Sequence, residues 1–139
     1  MNSQQFKGTW TALITPFRRD ESIDWESFTA LVDRQIAARV TGILVNGTTG
    51  ESPTLTDDES DELIRRAKSR ARGRCFVMSG SGTNSTAKSV IKTQRATQAG
   101  ADILLVVNPY YNKPTQQCLY LHFSAVAKAT NLPGVLYNI

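Results

Sequence analysis

The chain has 139 residues, 40% hydrophobic and 20% charged, the composition of one soluble domain with room for a sizeable core. Sixteen basic residues interleave with twelve acidic ones for a net charge of +4, and no basic block stands apart, which disfavours nucleic-acid binding. No apolar run approaches the ~18–20 residues that span a bilayer, residues 1–5 lack the charged-then-apolar order of a leader, and Cys75 and Cys118 fit neither a metal site nor a disulfide framework, so a cytoplasmic protein with no metal, cofactor or membrane partner is expected.

Five β-rich runs alternate with four amphipathic helices. The first run is residues 9–15. Asp24 then caps a helix carrying Phe28, Leu31, Val32 and Ile36 on one stripe and stopping at Gly42. After a run at 41–46, Thr56 and Glu59 form a capping box. Acidic residues fill the first turns of the helix that follows and basic ones its end. That order complements the helix dipole and predicts Asp61–Arg65 and Glu62–Arg66 pairs on a solvated face. A third run, 75–79, precedes a helix over 86–99 with Val90 and Ile91 inward and Gly100 as terminator. The run 103–108 is apolar at its first five positions, as in a strand covered on both faces, and favours a parallel sheet. After Pro114, Thr115 caps a helix that buries Leu119, Phe123, Val126 and Ala127. The fifth run is 134–138. Both cysteines sit in apolar runs and read as small buried hydrophobes.

This β-α alternation recurs about every 30 residues, the size of a βαβ unit, without a linker, and predicts one domain over 1–139. Right-handed βαβ units build either a doubly wound sheet or a barrel. A complete (β/α)8 barrel needs about 250 residues, so five strands and four helices amount to half of one.

Ligands of parallel α/β folds bind beyond the carboxyl ends of the strands, and here those ends carry hydroxyls, amides and small residues. Asn46-Gly47-Thr48-Thr49-Gly50-Glu51 follows the second run, and Ser79-Gly80-Ser81-Gly82-Thr83-Asn84 the third. Asn108-Pro109-Tyr110-Tyr111-Asn112-Lys113-Pro114 follows the fourth, and Tyr137-Asn138 closes the fifth. Gly47-Thr48-Thr49-Gly50 suits a small carboxylate: two glycines allow close backbone approach with N–H groups turned inward, and two threonines add hydroxyl donors. The same four residues also suit a plain strand-to-helix turn. Tyr111 and Tyr137 are candidates for proton transfer. A phenol with a pKa near ~10 is a poor base alone but can pass a proton along a chain of hydroxyls that includes Thr48. Taken alone, each tyrosine reads more readily as a core residue with a satisfied hydroxyl than as a catalytic one. Gly80-Ser81-Gly82 is an incomplete dinucleotide fingerprint. His122, the single histidine, reads as structural.

Gly47-Thr48-Thr49-Gly50-Glu51-Ser52, the Asn108-to-Pro114 segment and Leu136-Tyr137-Asn138, with Ala12-Leu13-Ile14-Thr15-Pro16-Phe17 near the start, resemble the signatures of the dihydrodipicolinate synthase and N-acetylneuraminate lyase family. The resemblance covers essentially the whole chain. It implies the N-terminal portion of a TIM (β/α)8 barrel, about five strands and four helices, truncated after the fifth strand. It implies that pyruvate forms a Schiff base with a lysine on the sixth strand and condenses with aspartate-β-semialdehyde in lysine and diaminopimelate synthesis. By the same resemblance, Thr48 and Thr49 with Gly47 hold the pyruvate carboxylate. Tyr137 passes protons, and Thr48 and Tyr111 complete the relay, with Tyr111 reaching into the neighbouring subunit of a homotetramer.

The sequence also departs from the family pattern. The Schiff-base lysine and the arginine after the fifth strand are absent. Lys7, Lys68, Lys88, Lys92, Lys113 and Lys128 lie in helices, loops or the tail, not in the desolvated pocket an imine-forming lysine needs. The polypeptide alone is therefore expected to be inactive. Ser52, Asn84 and Tyr110 match the family's allosteric lysine pocket, but Lys88 stands where inhibited members carry glutamate, so weak or no inhibition is expected. Two alternatives remain open here: a sugar-acid lyase of the same family, acting on N-acetylneuraminate or a 2-keto-3-deoxy acid, or a non-catalytic fragment.

Overall fold

The computed structural model describes residues 6–139; the reading of residues 1–5 as free of a leader lies outside them. Nine elements alternate in chain order: β1 (Trp10–Ala12), α1 (Trp25–Ala37), β2 (Gly42–Val45), α2 (Asp57–Ala71), β3 (Phe76–Gly80), α3 (Thr86–Ala99), β4 (Ile103–Val107), α4 (Gln116–Lys128) and β5 (Gly134–Tyr137). The strands form one sheet in the order β1-β2-β3-β4-β5. Every neighbouring pair is parallel, with Leu44 beside Met78, Gly80 beside Leu105 and Val107 beside Tyr137. A strand order that never reverses, joined by crossovers of one hand, puts all the helices on one face. A doubly wound sheet reverses its order and carries helices on both faces. The architecture is therefore that of a portion of a barrel, as expected.

The core lies between sheet and helices. Ile43 and Val45 of β2, Val77 of β3 and Leu104 and Val106 of β4 pack against Phe28 and Val32 of α1 and Leu63, Ile64 and Ala67 of α2. Each large side chain so buried contributes about 1.5–3 kcal/mol relative to exposure. The opposite face is open, and Leu105 and Val107 are only half-buried there, so β4 is not covered on both faces as its apolar run suggested. Among the described residues no helix is long and apolar enough to cross a membrane.

The caps read at Asp24, Thr56 and Thr115 are in place, and Ser85 adds a fourth that the sequence reading did not single out. Asp24, Thr56, Ser85 and Thr115 each accept a backbone N–H at the start of a helix, and Thr56 and Glu59 form the reciprocal box; such a cap contributes about 1 kcal/mol. Gly100 ends α3 with φ of 98°.

Other details differ. α1 stops at Ala37, not Gly42; Gly42 opens β2, where the Trp10 ring fills the space a Cβ would need, 2.2 Å away. On α3, Ile91 is exposed and the buried stripe is Ser89, Thr93, Ala96 and Ala99. Small and hydroxylated residues suit the close approach there, where Thr93 Oγ1 donates to Ser81 Oγ at 3.1 Å. On α4, His122 and Val126 are buried, Leu119 and Phe123 half-buried and Ala127 exposed. Cys75 is buried but Cys118 is exposed, one turn into α4 on its outer side. The charged face of α2 is not simply solvated. The expected Asp61–Arg65 and Glu62–Arg66 pairs form at 3.6 and 2.7 Å. Arg66 also lies over the Trp25 ring at 4.3 Å, Arg70 pairs with Asp33 of α1, and Asp61 is buried against Arg95 of α3 at 2.8 Å.

Candidate functional site

β2 delivers the chain to its carboxyl end at Val45. Asn46 then takes a left-handed backbone conformation, φ 56°, which an asparagine tolerates better than most residues. Its side chain is clamped: Nδ2 donates to the Ser60 carbonyl at 3.0 Å and to Ser79 Oγ at 3.2 Å. A single 3-10 turn, Thr48–Gly50, follows, closed by Gly50 N donating to Gly47 O and Glu51 N to Thr48 O, each at 3.0 Å.

The ends of the flanking strands hold this turn. The buried Thr15 hydroxyl beyond β1 donates to Gly50 O at 2.7 Å. A Cβ on Gly50 would lie 3.1 Å from Leu13 O, and one on Gly80 of β3 only 2.1 Å from Asn46 O. None of Gly47, Gly50 and Gly80 has a positive φ, so these glycines serve by leaving room. The Gly50 N–H is spent inside the turn instead of facing a ligand. The free donors are those of the threonines: among the described residues no hydrogen bond uses the N–H or the hydroxyl of Thr48 or Thr49.

These donors open onto a cavity of about 260 Å³ on the face of the sheet away from the helices. Gly47, Thr48 and Thr49 form one wall, and Tyr137 at the end of β5 stands in another. Leu44, Leu105 and Val107 make an apolar floor. The lining holds no lysine, histidine or carboxylate, so the site offers neutral donors on an apolar base and no set of metal ligands. Such a site can hold a small carboxylate with an apolar body and bring one phenol to it.

Four of the residues singled out in the sequence, Gly47, Thr48, Thr49 and Tyr137, thus meet in one cavity. Ser52 lines it as well. Tyr111 does not: it is 94% exposed with φ of 70°, an uncommon backbone state for a bulky side chain. Among the described residues no hydrogen bond joins Thr48, Tyr111 and Tyr137 within the chain. Asn84 and the Tyr110–Tyr111 segment are tied together, since Asn112 Nδ2 donates to Asn84 O at 2.8 Å; Lys88 and Tyr110 are exposed nearby in sequence. The supports supplied by Thr15, Ser60 and Ser79 were not legible as such, because each acts across 14 to 35 positions of chain.

Comparison with known proteins matches residues 5–139 to the model of the dihydrodipicolinate synthetase family. A 4-hydroxy-tetrahydrodipicolinate synthase of a Chelativorans species is 52% identical over 134 residues, 96% of this chain and 46% of that protein. The chloride-inhibited dihydrodipicolinate synthase of Acinetobacter baumannii, solved in complex with pyruvate, is 41% identical and superposes with a TM-score of 0.92 over 95% of this chain and 45% of its own. The enzyme of Cyanidioschyzon merolae, solved with lysine bound, is 42% identical with a TM-score of 0.93 over 97% of this chain and 46% of its own. The chain therefore spans about half the length of the relatives it matches.

Proposed function

Because the chain belongs to the dihydrodipicolinate synthetase family, we propose that its rim cavity is the pyruvate site of a 4-hydroxy-tetrahydrodipicolinate synthase, a carbon–oxygen lyase of lysine and diaminopimelate synthesis. One observation carries this reading: Thr48, Thr49 and Tyr137, from the ends of β2 and β5, line a single cavity. The free N–H and hydroxyl groups of Thr48 and Thr49 bind the pyruvate carboxylate. The apolar floor receives the methyl group, and Tyr137 exchanges protons with the reacting carbon and oxygen. In the complete reaction the pyruvate carbonyl condenses with a lysine amine, releasing water and forming the imine. The enamine drawn from it then adds to aspartate-β-semialdehyde. Tyr111, carried outward on a strained backbone, completes the relay in the site of a second copy, in a homo-oligomer assembled as a tetramer in the cytoplasm. The pyruvate complex of the Acinetobacter baumannii relative supports the choice of keto acid.

The cavity has no lysine in its lining, and we propose that this polypeptide by itself forms no imine. Ser52, Asn84, Lys88 and Tyr110 constitute the corresponding regulatory lysine site, which the Lys88 ammonium weakens by repelling the amino groups of the ligand. The lysine-bound relative from Cyanidioschyzon merolae supports looking for it here.

Titration of the isotope-labelled chain with pyruvate, followed through its amide resonances, tests the carboxylate cradle. Shifts confined to residues 47–50 and neighbours, and weakened about tenfold by Thr48→Val, are expected for the loss of a hydrogen bond to a charged group. Shifts elsewhere would remove the basis of the reading. Borohydride added with pyruvate should leave the mass of the chain unchanged; a trapped adduct would refute the claim that it forms no imine.

A further inference from the structure

Behind the turn, on the helix side of the sheet, lies a second and much smaller cavity of about 20 Å³ between the end of β2, α2 and α3. Three of the residues lining it each bury a polar side-chain atom that has no protein partner: Asn46 Oδ1, Ser60 Oγ and Arg95 Nε. Asn46 is 6% exposed. Its amide orientation is fixed, because Nδ2 must be the atom facing the Ser60 carbonyl. Arg95 is likewise fixed, its outer nitrogen holding Asp58 at 2.7 Å and Asp61 at 2.8 Å, which leaves Nε turned inward.

The chemistry of these atoms selects the occupant. Asn46 Oδ1 only accepts, Arg95 Nε only donates, and the Ser60 hydroxyl does either. A cation would meet the Arg95 guanidinium and Lys92, and an anion would meet Asn46 Oδ1 and the carboxylates of Asp57 and Asp61. A neutral molecule that donates and accepts satisfies all three atoms, and the volume is that of a single water. We infer that the cavity holds one buried water shared by Asn46, Ser60 and Arg95, and that through it Asn46 acts as a positioning residue for the turn presenting Thr48 and Thr49. Asn46 directly precedes Gly47, whose carbonyl closes that turn, and has a left-handed backbone. With the water, its amide is held by α2, β3 and α3 together.

The consequence for ligand binding rests on the pyruvate reading above; the water and the ordering of the turn do not. A crystal structure at a resolution that shows ordered solvent should contain one water peak within hydrogen-bond range of all three atoms. In Ser60→Ala, which keeps the carbonyl that Asn46 holds, the Gly50 and Glu51 amides should exchange with deuterium about tenfold faster while those of β4 do not change. The pyruvate concentration giving half the amide shift should rise several-fold in that variant, with the full shift unaltered. Arg95→Lys, which retains a cation for Asp58 and Asp61 but lacks Nε, should act in the same direction. A dry cavity, an ion in it, or unchanged exchange in both variants would overturn the inference. Unmodified protein that shows the water and the protected turn but no pyruvate response would sink the pyruvate reading and leave the positioning role standing.

Discussion

Thr48, Thr49 and Tyr137 line one cavity because a parallel sheet gathers its strand ends on one rim, so residues far apart in sequence become neighbours by topology alone. The way the turn is held was not legible, since Thr15, Ser60 and Gly80 act across it through contacts that no local pattern encodes. Gly80 is the sharpest case. Its φ is ordinary and any residue could adopt it, yet a Cβ there would sit 2.1 Å from the Asn46 carbonyl oxygen. Gly80→Ala must push β3 and the turn apart, and a loss of about 2–3 kcal/mol of folding stability is expected. Urea unfolding measures it; a change below half a kcal/mol would mean that the turn is softer than this packing implies. The same substitution should broaden the response of Thr48 to pyruvate, because the displaced backbone is the one that carries it.

Among the elements, caps and charge order foretold where helices begin, while the identity of their buried faces was less readable. α3 shows why. Val90 and Ile91 are its most apolar residues, but Ser89, Thr93, Ala96 and Ala99 are the buried ones, since close packing against neighbouring elements favours small side chains over large ones. On α4 the buried polar residue is His122, whose Nδ1 lies 2.9 Å from Thr86 Oγ1 at the start of α3. Burial pushes its pKa below the usual 6.5. On acidification the unfolded chain takes up this proton first, so the stability owed to neutral His122 is complete above pH 6.5 and drains away as the pH falls below it toward the lowered folded value. Glu62 acts at lower pH: its hydrogen bond to Arg66 depresses its pKa below 4.5, and the stability it adds disappears as the pH falls through that depressed value. Thermal midpoints measured from pH 7.5 down to 5, a range chosen to bracket the histidine alone, should fall below 6.5 in the unmodified chain and stay flatter in His122→Gln. Parallel curves would show that His122 is not the group responsible.

For the molecule as a whole, the alternation of strands and helices specified the architecture, and the unreversed strand order settled barrel over doubly wound sheet. The openness of the inner face was less legible, because a run such as Ile103–Val107 reads the same whether its second face is covered or not. That face leaves an apolar cleft between Trp10, Leu44, Met78 and Val135, and on the helix side of the sheet a second one lies between α4 and β5, lined by Tyr120 and Leu136. Apolar surface of this extent on a single chain favours association, and β1 and β5 each have an unpaired edge among the described residues. The chain alone should bind a hydrophobic dye and show a mass by light scattering that rises with concentration. A monomer that melts cooperatively and leaves the dye dark would contradict this. One small keto acid has to fit between the threonine turn and the β5 tyrosine. A crystal of the chain soaked in pyruvate reads this directly: the carboxylate is expected within hydrogen-bond range of Thr48 and Thr49 with the Tyr137 hydroxyl facing the carbonyl carbon, whereas pyruvate found elsewhere, or a cavity that stays free of it at saturating concentration, would contradict the proposed site.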